Sequence, residues 1–236
     1  MAAPDRMDER LRALGLVEAQ RMARGVFAEV VASGLIVPGR TEREADARIR
    51  DVAREFLRAA GDRPGRLVRS GPHTVLPYGQ DTPDRVIGVD EIVVVDLGPL
   101  LAGYETDFAR TLVLGDDPRM HRLVADLAAV GAAGREAFLR EEAITGRQLH
   151  SEVRALASKA GWSLGTWHAG RLTGPAPAAG PAPARVRGEA FVGPDNDRPL
   201  RRTVGGGLRA HWILEVRLVD DHQGFGGSFK QLLDLV

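Results

Sequence analysis

The chain of 236 residues has no cysteine, and its only lysines are Lys159 and Lys230. Without cysteine there is no disulfide, no thiolate metal ligand and no cysteine nucleophile. No apolar run approaches the roughly 20 residues that a membrane span needs, and the first residues lack the apolar centre of a signal peptide. Acidic and basic residues balance at 32 each, so no overall field attracts nucleic acid or an anionic membrane. We therefore expect a cytoplasmic globular protein with neither nucleic acid nor membrane as a partner.

Periodic segments predict helices followed by strands that are mixed with two further helices. Apolar spacing indicates helices over residues 8–35, 41–57, 118–138 and 145–160. The strand candidates are residues 66–70, 91–97, 104–114 and the run HWILEVRLV. This order is typical of an α+β domain with helices covering one face of an antiparallel sheet. We treat residues 1–236 as a single domain, in which residues 174–184, all Gly, Pro or Ala, form a flexible loop.

Two aspartates occupy the ends of the central strand pair. Asp96 follows three valines, and the chain then returns through YETDFARTLVL. If the hairpin turns around Leu101 and Ala102, Asp96 lies opposite Asp107, with Cβ atoms roughly 5 Å apart. Carboxylates this close repel each other unless a proton or a metal ion lies between them. The hairpin alone leaves an alternative open, in which Asp96 caps the turn and Asp107 pairs with Arg110 or a surface arginine.

Two further polar residues lie in strand-like segments. His168 stands in GTWHAGRLTG, and Glu215 lies in HWILEVRLV on the face opposite Trp212. Individually each has a simpler interpretation, since a lone histidine is often a satisfied polar group and Glu215 could pair with Arg217. Together with the two aspartates they form an oxygen-rich set with one imidazole. Such a set suits Mn, Fe, Co or Zn in hydrolysis.

Three separated segments resemble the M24 metallopeptidases, namely DLGPLLAGYETDFARTLVLG, WHAGRLTG and HWILEVRLV. This family includes methionine aminopeptidases, Xaa-Pro aminopeptidases and creatinase. The resemblance implies the pita-bread fold, a curved antiparallel sheet covered by helices. It also implies two divalent metal ions with a bridging hydroxide, and it places metal ligands at Asp96, Asp107, His168 and Glu215.

The family's fifth ligand, a second glutamate near the C-terminus, is absent from this sequence. Lys230 or Gln231 occupies its expected place in GFGGSFKQLLDL. Neither side chain bridges two metal ions as a carboxylate does, although Lys230 could itself supply a cation. The departure favours one metal ion over two.

Two histidines that are usual in the family are also missing. Leu76 or Tyr78 lies near the place of the first, with His73 out of register, and Ala178 lies near the place of the second. Both histidines serve substrate binding or the transition state in the family. Their loss puts ordinary peptidase activity in question.

Three functional hypotheses follow. The first is an M24-type hydrolase, related to Xaa-Pro aminopeptidases, with one metal ion (Mn, Co, Fe or Zn) held by Asp107, His168 and Glu215 and assisted by Asp96. Three protein ligands with an open position suit a metal-bound water. Its substrate is a small peptide or an amide-type small molecule, and the sequence leaves a homodimer open.

The other two hypotheses keep the fold without metal-dependent peptidase chemistry. One is a metal-independent, creatinase-like or biosynthetic enzyme acting on a small molecule, and the other is a pseudo-peptidase that only binds. The pocket residues we predict are His73, Tyr78 and Lys230 as catalytic candidates, with Trp167 and Arg171 for substrate binding.

Overall fold

The computed structural model describes residues 6–57, 65–77, 80–101, 106–173 and 188–235. The helices of this part are α1 (Arg6–Ala32), α2 (Glu42–Phe56), α3 (Gly98–Leu101), α4 (Pro118–Arg140) and α5 (Gly146–Ala160). The strands are β1 (Val68–Ser70), β2 (Ile92–Asp96), β3 (Ala109–Val113), β4 (Ser163–Leu164), β5 (Gly170–Leu172), β6 (Trp212–Asp220) and β7 (Phe225–Leu232). Short 3₁₀ turns cover Gly71–Val75 and Gly205–Gly207.

Local sequence signals account for the helix ends. Thr41 and Glu44 form the predicted capping box at the start of α2, in which each side chain bonds the other's backbone N–H. Thr145 and Gln148 make the same arrangement at the start of α5. The stop predicted at Gly34 is confirmed, since that residue follows α1 with a φ of 56°, a value that favours glycine.

The strands form one antiparallel sheet in the order β1-β2-β3-β7-β6-β4, with β5 also paired to β6. Two apolar clusters stabilise the domain. One packs α4 and α5 against β6, and the other packs α1 and α2 against the β1–β3 region. The predicted α+β class is therefore confirmed.

Strand β6 shows how the sheet separates core from site. Trp212, Leu214, Val216 and Leu218 all belong to the cluster beneath α4 and α5, as their alternation predicts. Glu215 lies between them in sequence and therefore on the opposite face. This leaves a buried carboxylate on the side of the sheet away from α4 and α5.

The predicted register of the β2–β3 hairpin is wrong by two residues. Asp96 pairs with Ala109, not with Asp107. The cause is α3, which inserts a helical turn after β2 where the prediction assumed a tight turn. A shift of two residues keeps every side chain on its predicted face, so Asp107 remains on the side of Asp96.

Several predicted segments are shorter in the structure or lie outside the described residues. The strand predicted over residues 104–114 is confirmed only for Ala109–Val113, and the one predicted over residues 66–70 begins at Val68. The Gly/Pro/Ala loop at residues 174–184 lies outside the described residues. Among the helices that are described, none has the length and apolarity to cross a membrane.

Candidate functional site

One row of side chains crosses four neighbouring strands. Asp96 on β2 lies opposite Ala109 on β3, which in turn lies opposite Lys230 on β7. Lys230 lies opposite Glu215 on β6. Because directly opposed residues in antiparallel strands share one face of the sheet, the fold itself places two carboxylates and an ammonium group side by side.

Lys230 contacts two carboxylates. Its Nζ donates to Asp96 Oδ2 at 2.7 Å and lies 3.4 Å from Asp107 Oδ2. Ala109, which lies between Asp96 and Lys230 in the row, has only a methyl group and leaves room for the lysine side chain to reach across. All of these residues are buried, so a positive charge lies between two aspartates that would otherwise repel each other.

Gly98 brings Asp107 close to Asp96. A Cβ atom at Gly98 would overlap Asp107 Oδ1 and lie 3.0 Å from Asp96 Oδ1. The Gly98 N–H also donates to Asp96 Oδ1 at 2.9 Å. Asp96 thus caps the turn, as the simpler interpretation held, and also takes part in the acidic cluster.

Arg171 approaches Asp107 from β5. Its Nη2 donates to Asp107 Oδ2 at 3.2 Å, the same oxygen that Lys230 approaches. The partner considered from the sequence, Arg110, instead donates to Lys230 O and to Gln231 Oε1. Asp107 is therefore paired with two cations, neither of which is its neighbour in sequence.

His168 lies beside the acidic cluster in an aromatic setting. Its ring centroid is 4.9 Å from those of both Trp167 and Phe191. Burial, reinforced by the charges of Lys230 and Arg171, lowers the pKa of His168 to about 4. Its Nδ1 is buried without a hydrogen-bond partner among the described residues. The imidazole is therefore neutral at physiological pH.

The carboxylates of the site differ in their ease of ionisation. Burial opposes ionisation of Asp107, but Lys230 and Arg171 outweigh it and hold its pKa below the ordinary value. Burial raises the pKa of Asp96, and the charge of Asp107 adds to this. Burial likewise raises the pKa of Glu215. The ion pairs thus keep Asp107 charged, whereas Asp96 and Glu215 both take a proton more readily than an ordinary carboxyl group.

The other predicted site residues have different surroundings. His73 Nδ1 lies 2.9 Å from Glu42 Oε2, in a cluster where α2 meets β1. Arg217, considered from the sequence as a partner of Glu215, donates through Nη2 to the backbone oxygens of Thr74 and Leu76, both at 2.7 Å, and its charge also acts on Glu215. Tyr78 lies outside the described residues. Trp167 is 53% exposed, and it forms the outer side of the aromatic group around His168.

Sequence reasoning missed two residues that shape the site. Gly98 and Ala109 carry no reactive group. Their small size leaves room for the side chains of Asp107 and Lys230, respectively. The signal for Gly98 is its position directly after the strand end, in DLG. Arg171 was predicted to bind substrate, and its ion pair with Asp107 could not be foreseen without the pairing of β5 with β6.

The family model for metallopeptidase family M24 matches residues 15–200 of this chain. The chain belongs to this family. Over 131 residues it is 28% identical to an Xaa-Pro dipeptidase of Pyrococcus furiosus, an alignment that covers 54% of this chain and 36% of that protein. The chain therefore spans about a third of the length of that relative.

Solved structures agree with the family assignment. A dipeptidase PepE from Mycobacterium ulcerans superposes with a TM-score of 0.68 and 25% identity, covering 92% of this chain and 53% of that one. A prolidase from Thermococcus sibiricus gives a TM-score of 0.70 at 20% identity, covering 97% of this chain and 57% of that one. The fold is the pita-bread fold that the family resemblance implied.

The side chains of the site do not fit the divalent metal ions that the family implies. Asp96 and Asp107 already share the ammonium group of Lys230, and Arg171 adds a second cation. In the part of the chain that the structure describes, no three His, Cys, Asp or Glu side chains are arranged to hold a metal ion. A divalent ion would enter a cluster that already contains two positive charges.

Proposed function

We propose that this chain is a metal-independent member of the M24 family that binds a short peptide or an amide-type small molecule at the Asp107 site. One observation carries the proposal: Lys230 Nζ lies within 3.4 Å of both aspartates. A protonated lysine and a divalent ion compete for the same carboxylate oxygens. Since the lysine is part of the chain, it has the advantage of high local concentration.

Charge balance supports metal independence. The cluster contains three carboxylates, on Asp96, Asp107 and Glu215, and two cations, on Lys230 and Arg171. Burial raises the pKa of Glu215 and so favours its protonated form. A proton on Glu215, or the charge of Arg217 that also acts on it, would balance the third carboxylate, and a buried cluster with balanced charges avoids the cost of uncompensated charge.

The class of ligand rests on the family and on the accessible edge of the site. Relatives of this chain are named Xaa-Pro dipeptidases and prolidases. At the edge, Trp167 is 53% exposed and the Arg171 side chain is 22% exposed. A guanidinium and an aromatic ring that both lie near His168 suit a ligand with a carboxylate and an apolar ring, as in a dipeptide that ends in proline.

A dipeptide titration tests the proposal. We expect Ala-Pro to bind the chelator-treated wild-type protein in isothermal titration calorimetry, and we expect Arg171→Gln to weaken binding about tenfold. Arg140→Gln is the matched control, because Arg140 is a highly exposed arginine on α4. Added manganese is expected to change neither the affinity nor any hydrolysis of the dipeptide. Binding or hydrolysis that requires manganese would overturn the proposal.

A single-metal hydrolase is the second candidate, and one specific observation favours it. Asp107 Oδ1 and His168 Nδ1 are both buried without a hydrogen-bond partner among the described residues, and each is a potential ligand atom. This candidate requires an ion that displaces Arg171 or Lys230 from Asp107. Manganese-dependent cleavage of Ala-Pro would favour it.

The cytoplasmic location and the homodimer remain predictions.

A further inference from the structure

We infer that Arg171 and Lys230 act together as a built-in pair of cations that takes the place of the two metal ions implied by the family. This inference rests on the proposed metal independence and extends it from one residue to two. It assigns Arg171 an electrostatic role within the site in addition to any contact with ligand. It also predicts that replacing both residues creates a metal site.

The two cations approach the acidic cluster from two sides. β6, which carries Glu215, is paired on one side with β5 and on the other with β7. Arg171 extends from β5 and Lys230 from β7, and their nitrogens lie 3.2 and 3.4 Å from the same oxygen, Asp107 Oδ2. Asp107 is thus the shared partner of both cations.

The two cations explain how three carboxylates can be buried together without a metal ion. Asp96, Asp107 and Glu215 are each less than a tenth exposed, and the charge of Asp107 disfavours ionisation of both Asp96 and Glu215. Breaking a buried ion pair by removing one partner is strongly destabilising. The three carboxylates therefore persist because the chain supplies its own positive charge.

Each cation alone is sufficient to disfavour metal binding at Asp107. Removing Lys230 leaves the guanidinium of Arg171 on Asp107 Oδ2, and removing Arg171 leaves the ammonium of Lys230 on the same atom. The two substitutions are therefore expected to be non-additive, since both act through one carboxylate. Metal affinity should rise steeply only when both cations are gone.

Manganese titration of four proteins tests this directly. The proteins are the wild type, Lys230→Glu, Arg171→His and the double variant, each freed of metal with chelator and followed by calorimetry. We expect the double variant to bind manganese at least about tenfold more tightly than either single variant, with no measurable binding by the wild type. The control is a double variant of exposed residues, Lys159→Glu with Arg140→His.

The outcomes separate this inference from the proposed function. Stoichiometric manganese binding by the wild type would overturn both. A metal-free wild type with a folded double variant that binds no better than the control would overturn the inference alone. A double variant that folds only with manganese supports the inference, because the ion then supplies the missing charge.

If the double variant stays unfolded even with manganese, a second double variant with milder substitutions tests the inference. Lys230→Gln with Arg171→Gln removes both cations without adding a carboxylate. A rise in melting temperature with manganese that exceeds the rise in the wild type supports the inference. Equal rises in the two proteins would overturn it.

Discussion

Two buried polar clusters in this protein differ in how completely their acceptors are used. At the junction of α2 and β1, Glu42 Oε1 accepts from the backbone and side chain of Ser70, at 2.6 and 3.0 Å. Glu42 Oε2 accepts from Arg66 and His73, both at 2.9 Å. Each oxygen of this fully buried carboxylate therefore has at least two donors.

The Asp107 site leaves acceptors unused. Asp107 Oδ2 receives Lys230 and Arg171, but Asp107 Oδ1 and His168 Nδ1 have no donor within the described residues. A buried acceptor without a partner costs free energy. The Glu42 carboxylate is therefore built for stability, since both of its oxygens are satisfied, whereas the Asp107 carboxylate retains one oxygen that a ligand could use.

The largest effect is expected at the α2–β1 junction. Glu42→Ala leaves Arg66 and His73 without their buried carboxylate, and we expect a loss of about 3–5 kcal/mol in the free energy of unfolding. Urea denaturation measures it. Glu152→Ala, which removes a half-exposed carboxylate of α5, should change stability by less than about 0.5 kcal/mol. A similarly small change for Glu42→Ala would show that the hydrogen bonds of Glu42 do not stabilise the junction.

Lys230→Met should have the next largest effect on stability. The substitution keeps an unbranched chain of similar length but removes the cation between two aspartates, and we expect a loss of about 3 kcal/mol. Lys159→Met, at the exposed end of α5, is the matched control, for which almost no change is expected. If Lys230→Met is as stable as the control, Lys230 does not neutralise the site.

Gly98→Ala should have an intermediate effect that is confined to the site. The added methyl overlaps Asp107 Oδ1, so we expect a loss of about 1–3 kcal/mol together with weaker dipeptide binding. Gly15→Ala is the control, because a methyl there meets no atom within 4 Å and helix propensity favours alanine. Unchanged dipeptide affinity in Gly98→Ala would mean that the position of Asp107 is unimportant for the ligand.

The last substitution concerns Asp46, which accepts from the backbone N–H groups of Leu67 and Val68 at the junction. Burial raises its pKa from 3.8 to about 6 despite these bonds. A raised pKa contributes stability below the unfolded value that is lost as pH rises through about 6. We therefore expect Asp46→Asn to gain stability relative to the wild type between about pH 4 and pH 6. If the difference in the free energy of unfolding between Asp46→Asn and the wild type stays constant across this pH range, the pKa of Asp46 is not raised.

Periodicity and capping predicted most of the framework, because they depend on neighbours in sequence. The helix start at Thr41 and the two faces of β6 are of this kind. The register of the β2–β3 hairpin was not predictable, since the helical turn of α3 replaces a tight turn that the sequence equally allows. The sequence left Lys230 and Gln231 as alternatives, and pairing with Glu215 puts Lys230 on the side of the site.

Crystals grown with manganese test the central claim most directly. Anomalous scattering at a wavelength near the manganese absorption edge locates any bound ion relative to Asp107 without reference to activity. We predict no anomalous peak among Asp96, Asp107 and Glu215, with Lys230 Nζ in contact with both aspartates. A manganese peak coordinated by Asp107, with Lys230 turned away, would contradict the account.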